Sequence, residues 1–585
     1  MRGREEEKMK KAIIHGIVAA SVGAMAIGIA TPTLAATTVT ATCGTPGNGY
    51  GQMFPSLASS SWSSGAIDAL SSAVLATQET NPTPEGQPDA EDNLQIPAGY
   101  TYFGQFVDHD LTLDDRANDL VTPTPPSALV NGRTPQLDLD SVYGSGPSTS
   151  TQLYEGDGMR LKVGEVLTGS NDAGARDLPR GANGQAVIGD PRNDENRLVA
   201  GIHSMFLRFH NATVDRIVLA QPSLSSAQVF AQARAEVVAA YQSIIINDFL
   251  PQIVGQRQVE DVVRKTPTGY ATNLRFYNAC QQMPVEFSVA AYRFGHSMVR
   301  ALYRINASTD RVPVFSGTFV PGSDLTGFSP SPSTFGVNWD FFVPSVGSTV
   351  KAQWSYKIDN SITSSLGLLP LPATGAGPAN LAKRNLLRSQ QIGLPSGQAV
   401  ARAMGVTPLP DDKILVGKAT GVATDTQAIT SVSSEFAGNA PLWTYILAEA
   451  TAHAYPVSGG KIIGPQREAY RLGPVGGRIV AETIVGLMKS DPASILNSTA
   501  PTSRYTFRSL INAVMNNAAI TPAPKPAPAP KHGPAHKKSA PRVKVPAITA
   551  RSQAVVTAKS KTSRVTSAAR ARQAAALARS AARSR

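Results

Sequence analysis

Cysteine is nearly missing from these 585 residues: only Cys43 and Cys280 occur. A pair so far apart builds no disulfide framework, and whether the two join is open. Acidic residues are missing altogether from residues 521–585, where 15 Lys+Arg stand. Residues 1–35 carry five basic and three acidic side chains, so the remainder has 34 basic against 39 acidic residues. The net charge of +12 therefore belongs to a tail on a mildly acidic body, and gives no reason to read a specific nucleic-acid binder. Beyond the first 35 residues no run stands out as long and apolar enough to span a membrane. No internal repeat occurs, and strands of alternating pattern are scarce, which argues against solenoid and β-rich architectures.

What is present starts with an export signal. Lys8, Lys10 and Lys11 precede an apolar stretch from Ala12 to Ala30, and Thr33-Leu34-Ala35 offers small residues at a cleavage site. A single membrane anchor is the alternative; the Gly/Ala-rich character and small-residue exit favour cleavage. Four segments follow: a signal peptide (1–35), a Gly/Ser/Pro-rich leading segment (36–97), a body (98–520) and a basic tail (521–585). The tail alternates Pro and Ala with Lys, then turns Ala/Ser/Arg-rich, and is expected to be extended or disordered. It suits anionic wall polymers or a membrane surface, or serves only solubility.

The body reads as mainly α. Leu198, Ile202, Met205, Phe206, Phe209, Ile217 and Val218 form a helical stripe. Ala227 to Ile253 predicts a second long helix, ended by Pro251 and Gly255. Pro284 opens a third, expected to run through His296 to about Leu302, and Pro395 another, through Met404.

Five histidines lie in the body: His109, His203, His210, His296 and His453. Two have unusual surroundings. His109 sits in Gly104-Gln105-Phe106-Val107-Asp108-His109-Asp110, a potential base flanked by carboxylates, with Gln105 on the same helical face. His296 follows Gly295 in mid-helix, where glycine costs about 1 kcal/mol against alanine and often marks something bulky against the backbone.

These segments, with Asp138-Leu139-Asp140-Ser141-Val142-Tyr143-Gly144, Arg192-Asn193-Asp194-Glu195, Tyr241 to Pro251 and Asn385 to Pro395, resemble the animal haem-peroxidase (peroxidase–cyclooxygenase) superfamily. The chain is similar to a secreted bacterial member from about residue 98 to 410, more weakly to 515. The resemblance implies that fold: mainly α, haem buried between core helices, long irregular loops, little β.

It also implies roles. His109 would be the distal histidine, moving a proton between the peroxide oxygens. Arg192 would stabilise charge on the departing oxygen, and Gln105 would bind the distal water. His296 would be the iron ligand, with Asn385 holding its other ring nitrogen. Arg293 and Arg388 resemble partners of the haem propionates. Asp108 and Glu195 match carboxylates that form ester links to haem in mammalian members. Asn196 at the next position excludes a third link, and the lack of C-x-x-C-H excludes thioether attachment. One calcium ion would be held by Asp110, Thr134, Gln136 (through its carbonyl), Asp138 and Asp140, whose alternate spacing suits a loop wrapped round a hard cation. Thr112 stands where mammalian members often carry an aspartate. His203 and His453 are given no role, and His210 a structural one.

The expected activity is reduction of hydrogen peroxide coupled to oxidation of a halide, pseudohalide or small aromatic donor, by a secreted or envelope-associated monomer with haem b and one Ca2+. Defence or wall cross-linking, under oxidative stress, is the expected setting. One rival is a fatty-acid dioxygenase of the same superfamily. It needs a tyrosine three residues before the iron ligand, where Arg293 stands, and Tyr292 would face elsewhere on an α-helix. A non-catalytic surface-binding protein is the second rival, and retention of His109, Arg192, His296 and Asn385 opposes it.

Overall fold

The computed structural model describes residues 49–77, 89–114, 119–267, 269–278, 283–316, 322–370, 377–498 and 504–518. The expected signal peptide, both cysteines and the basic tail lie outside the described residues. The longer helices are α1 (Ser64–Val74), α2 (Gly99–Leu111), α3 (Arg197–Ala220), α4 (Ser226–Ile244), α5 (Leu381–Ile392), α6 (Gly397–Ala403), α7 (Leu442–Ala454), α8 (Pro474–Ser490) and α9 (Phe507–Ala518). Strands form only two-stranded sheets among the described residues. The fold is mainly α, joined by long irregular connections.

Helix α2 runs through the centre. Phe103, Phe106, Val107 and Leu111 have no solvent exposure. It enters the core at Gly99, whose N–H donates to the Phe342 carbonyl at 2.9 Å. A Cβ there would stand 2.8 Å from that oxygen, so only glycine permits the approach. Aromatic residues, only 6% of the chain, concentrate around α2 and fix its neighbours. Phe106 stacks on Phe206 of α3 at 5.0 Å and meets Tyr241 of α4 edge-on at 6.0 Å.

Three expectations change. The second long helix does not end at Pro251. A π turn over Ile245–Phe249 carries it into a short helix, Leu250–Val254, where Pro251 lies in the first turn. The missing N–H costs little at that position. Gly255, at φ 85°, ends the run. The combined helix Ser226–Val254 is also long and apolar enough to cross a membrane, contrary to the sequence reading, yet 67% of its most apolar window is buried in protein. The third helix is not α-helical either. A π turn over Glu286–Ala290 leads into a 3₁₀ segment, Ala291–Met298, with a kink at Ala290. Arg293 Nε donates to the Ser288 carbonyl at 3.1 Å, the acceptor an α-helix would give to the Tyr292 N–H.

The leading segment is no appendage where it is described. Helix α1 buries Ile67, Leu70 and Val74, and Tyr50–Gly51 pairs in parallel with Met283–Pro284. The Glu286 carboxylate accepts from the Met53 and Phe54 N–H groups, both at 3.0 Å, locking this segment to the turn that leads to His296.

Candidate functional site

Helix α2 supplies one wall. Asp108, His109 and Asp110 diverge by about 100° each. His109 is buried, and its Nδ1 lies 2.9 Å from Asn193 Oδ1. Asn193 Nδ2 lies 3.0 Å from Nδ1 of His203, which α3 buries completely. Oδ1 can only accept, so His109 carries its proton on Nδ1 and leaves Nε2 as a base. Burial, then the nearby Arg192 charge, lower the pKa of His109 to about 3, so it is neutral at ordinary pH.

Arg192 stands on a 3₁₀ turn, Pro191–Asp194, capped by the Asp190 carboxylate, which accepts from the Arg192 N–H at 2.9 Å. The same carboxylate holds the guanidinium through Nε (3.1 Å) and Nη2 (2.8 Å). Nη2 also donates to the His109 carbonyl at 3.1 Å and to the Thr112 carbonyl, capping the end of α2 with a cation. Burial would raise the pKa of Asp190, but Arg192 and Arg133 overcome it and hold the carboxyl at about 2.

Gln105 is held at both ends: Nε2 donates to Glu195 at 3.0 Å, and Oε1 accepts from Asn196 at 2.9 Å. Asn196 also caps α3, accepting from the N–H groups of Leu198 and Val199. Burial raises the pKa of Glu195 to about 7, and raises that of Asp108 against the pull of Arg192 and Arg293. Thr112 Oγ1 donates to the Asp108 carboxylate at 3.2 Å.

The opposite wall is the 3₁₀ segment. Residues three apart eclipse there, which puts Arg293 on the same edge as His296. His296 Nδ1 lies 2.9 Å from Asn385 Nδ2 on α5, and Asn385 Oδ1 accepts from Arg293 Nη1 at 2.8 Å. Burial first, then Arg293, lower the pKa of His296 to about 3 and keep the ring neutral. Trp443 of α7 pins the segment by donating to the Arg293 carbonyl at 3.2 Å. A Cβ on Gly295 would meet no atom of the described residues within 4 Å, so the backbone there borders open space. Arg388 is buried and engaged, pairing with Asp114 and donating to Gln391 at 2.5 Å. The two walls are close: Arg192 and Arg293 both act on the Asp108 carboxylate.

Behind α2, oxygens of Asp110, Asp138 and Asp140 lie within 4.8 Å of one another. The loop alternates, Leu137 and Leu139 fully buried and Asp138 and Asp140 only partly so. Both leucines adopt positive φ, 46° and 60°, which L side chains rarely accept. Thr134 Oγ1 donates to Asp138 at 2.8 Å, and Gln136 lies in the same loop. Burial, then Asp140 and Asp138, push the Asp110 carboxyl well above its ordinary range. Arg133 bridges Asp140 (3.5 Å) and Asp190 (3.1 Å), linking this cluster to the residue that holds Arg192.

Sequence reasoning missed four residues. Asn193 and His203 form the relay, although a histidine in an apolar stripe must find a buried partner. Asp190 announced itself only as a cap before Pro191. Tyr50 is 4% exposed, and its hydroxyl has no hydrogen-bond partner among the described residues. His210 is structural as read, bonded to Tyr143 Oη (3.1 Å) and the Met159 carbonyl (2.9 Å). Tyr292 is buried, its ring stacked on Phe287 at 4.6 Å and edge-on to Phe294 at 5.6 Å; burial, then Asp108, raise its pKa.

Residues 116–424, just over half of the chain, match the model of the animal haem peroxidase family, and the chain belongs to that family. Arg192, Glu195, His296, Asn385, Arg388 and the 134–140 loop lie within the match; α2 lies just before it. The chain is 27% identical over 301 residues to a chorion peroxidase of Drosophila melanogaster, covering 49% of this chain and 36% of that one. It is 25% identical over 294 residues to peroxinectin A of Dictyostelium discoideum, covering 48% and 50%. The chain spans between a fifth and a half of the length of such curated relatives. In fold it is similar to peroxidase A of Dictyostelium discoideum (TM-score 0.50, 18% identity, 77% of this chain and 89% of that one). It is equally similar to a fatty acid alpha-dioxygenase of Arabidopsis thaliana (0.51, 14%, 79% of each). Family membership implies haem and oxidoreductase chemistry.

Proposed function

We propose that this chain is an exported peroxidase that binds haem b between His109 and His296 and reduces hydrogen peroxide at the expense of a small donor, a halide, pseudohalide or phenol. The observation that carries this is the His109–Asn193–His203 relay, which leaves a buried neutral base on helix α2. The residues fit haem: a neutral imidazole on His296, space at Gly295 and an unpartnered Tyr50 hydroxyl. When bound, haem supplies the iron that passes two electrons to peroxide and later recovers them from the donor.

The chain's own groups handle the protons. His109 Nε2 takes the proton of the inner peroxide oxygen and returns it to the outer one, which leaves as water. Arg192 sits beside this base as a fixed cation and lowers the cost of charge on the departing oxygen. Gln105, clamped by Glu195 and Asn196, orders the water or peroxide before reaction. An imidazole that gives Nε2 to iron must carry its proton on Nδ1. Asn385 then presents Oδ1 to His296, which releases Arg293 for a haem carboxylate; Arg388, paired to Asp114, backs it. Asp108 and Glu195, both with raised pKa, are the carboxyls available for ester links.

Asp110, Asp138 and Asp140, with the Thr134 hydroxyl and the Gln136 carbonyl, form the proposed calcium site. Removing the ion leaves three carboxylates in mutual repulsion beside His109 and, through Arg133, loosens Asp190 and Arg192. Chelation should therefore lower both Tm and turnover, and calcium should restore them better than magnesium, which resists giving up its water. At a hundredfold excess over Kd the ion adds about 2.7 kcal/mol of stability. Unchanged melting with and without chelator would remove calcium from the proposal.

A second reading, fatty-acid dioxygenase, is favoured by one observation: the Tyr292 hydroxyl is buried with no hydrogen-bond partner among the described residues. The deciding experiment purifies the full chain, records its haem spectrum, and adds peroxide with iodide, thiocyanate or guaiacol. Oxygen uptake with linoleate is measured separately. Peroxide-dependent donor oxidation is expected. Oxygen uptake without it would establish the dioxygenase, and absent haem absorption would end both readings.

A further inference from the structure

We propose that Tyr50 is a further cofactor-binding residue, its hydroxyl donating a hydrogen bond to a carboxylate at the edge of the bound haem. The inference rests on the haem reading above, and concerns a residue well outside the segment matched to the family.

Three observations converge on it. The Tyr50 side chain is buried, and its hydroxyl finds no acceptor among the described residues, a state that native interiors rarely leave uncompensated. Second, its surroundings are charged and come from both walls. Asp108 acts on it from the distal side, Arg192 beside it, and Arg293 and Arg388 from the proximal side. A hydroxyl inside the general core would not meet all four. Third, its position is rigid: Tyr50 pairs with Met283, Gly49 bridges Val130, and Glu286 holds the N–H groups of Met53 and Phe54.

The charge balance says what this hydroxyl awaits. Arg192 is already matched by Asp190 and Arg388 by Asp114. Among the described residues Arg293 bonds only neutral groups, the Ser288 carbonyl and the Asn385 amide, and Asp108 is the opposing charge acting on it. Haem brings two carboxylates, more negative charge than one guanidinium answers. A neutral donor can bind the second without adding a cation to a buried site. Burial also raises the pKa of Tyr50, so it stays protonated and acts as a donor rather than as a phenolate.

The test uses the full chain, produced without haem and reconstituted with either haem or haem dimethyl ester, whose carboxylates are blocked. Tyr50→Phe keeps the ring and removes only the donor. It should raise the Kd for haem by about tenfold or more, the size expected for a hydrogen bond to a charged group, and raise the Kd for the ester distinctly less, because an ester carbonyl is a weaker, neutral acceptor. Apoprotein melting should be unaltered or slightly improved, since an unpartnered hydroxyl is removed. Equal affinity of both proteins for haem overturns the proposal. Equal weakening for haem and its ester also overturns it, assigning Tyr50 to packing alone. Failure of the unaltered chain to bind haem would instead strike the functional reading itself.

Discussion

Exchanging His109 for alanine should leave haem bound and lower the rate of reaction with peroxide by about 10²–10⁴-fold, the range for a positioned acid–base group. The effect belongs towards the top of that range because the nearby carboxyls among the described residues are turned elsewhere, Glu195 being held by Gln105. Asp108 is turned towards Thr112 and Asp110 towards the 134–140 loop, and Gln105 cannot accept a proton at neutral pH. Stopped-flow mixing with peroxide reads the rate directly, and the spectrum before mixing reports haem content. A loss below about tenfold would show that the proton moves through solvent, and the assigned role of His109 would fall.

The same argument grades the residues behind it. Asn193→Ala keeps the imidazole but frees it to rotate and to take the other tautomer. A loss of about 10–100-fold is expected, as for other groups that orient a histidine. Arg192→Ala removes the cation proposed to meet the developing charge, and about 10²–10³-fold is the comparable cost.

Much of this was legible in the sequence, for a physical reason. His109, Asp108 and Asp110 are consecutive, and Asp138 and Asp140 alternate, so their geometry follows from one helix and one loop. What could not be read depends on contacts between distant segments. Asn193 reaches back to α2 and forward to His203 across a turn whose path only packing decides. Tyr50 arrives from a segment that composition suggested was a loose lead-in, because its pairing with Met283 leaves no local trace. The segment around His296 was misjudged because its pattern is helical, while the carbonyl an α-helix needs is taken by Arg293.

Replacing His296 by alanine should give a folded chain that does not retain haem. Among the described residues the His296 ring bonds only Asn385, and Trp443 holds the segment through the Arg293 backbone rather than through the imidazole. The helices that make the core, α2, α3 and α4, lean on Phe106, Phe206 and Tyr241 instead. The far-ultraviolet circular dichroism of His296→Ala should therefore match the parent, while the haem absorption band is lost and added imidazole partly restores it. Asn385→Ala should sit between the two, retaining haem at about 10–100-fold lower affinity because the ring loses its orienting partner. If His296→Ala instead keeps a normal haem band while His109→Ala loses it, the two walls exchange roles. The proton-transfer scheme built on Asn193 would then have to be abandoned.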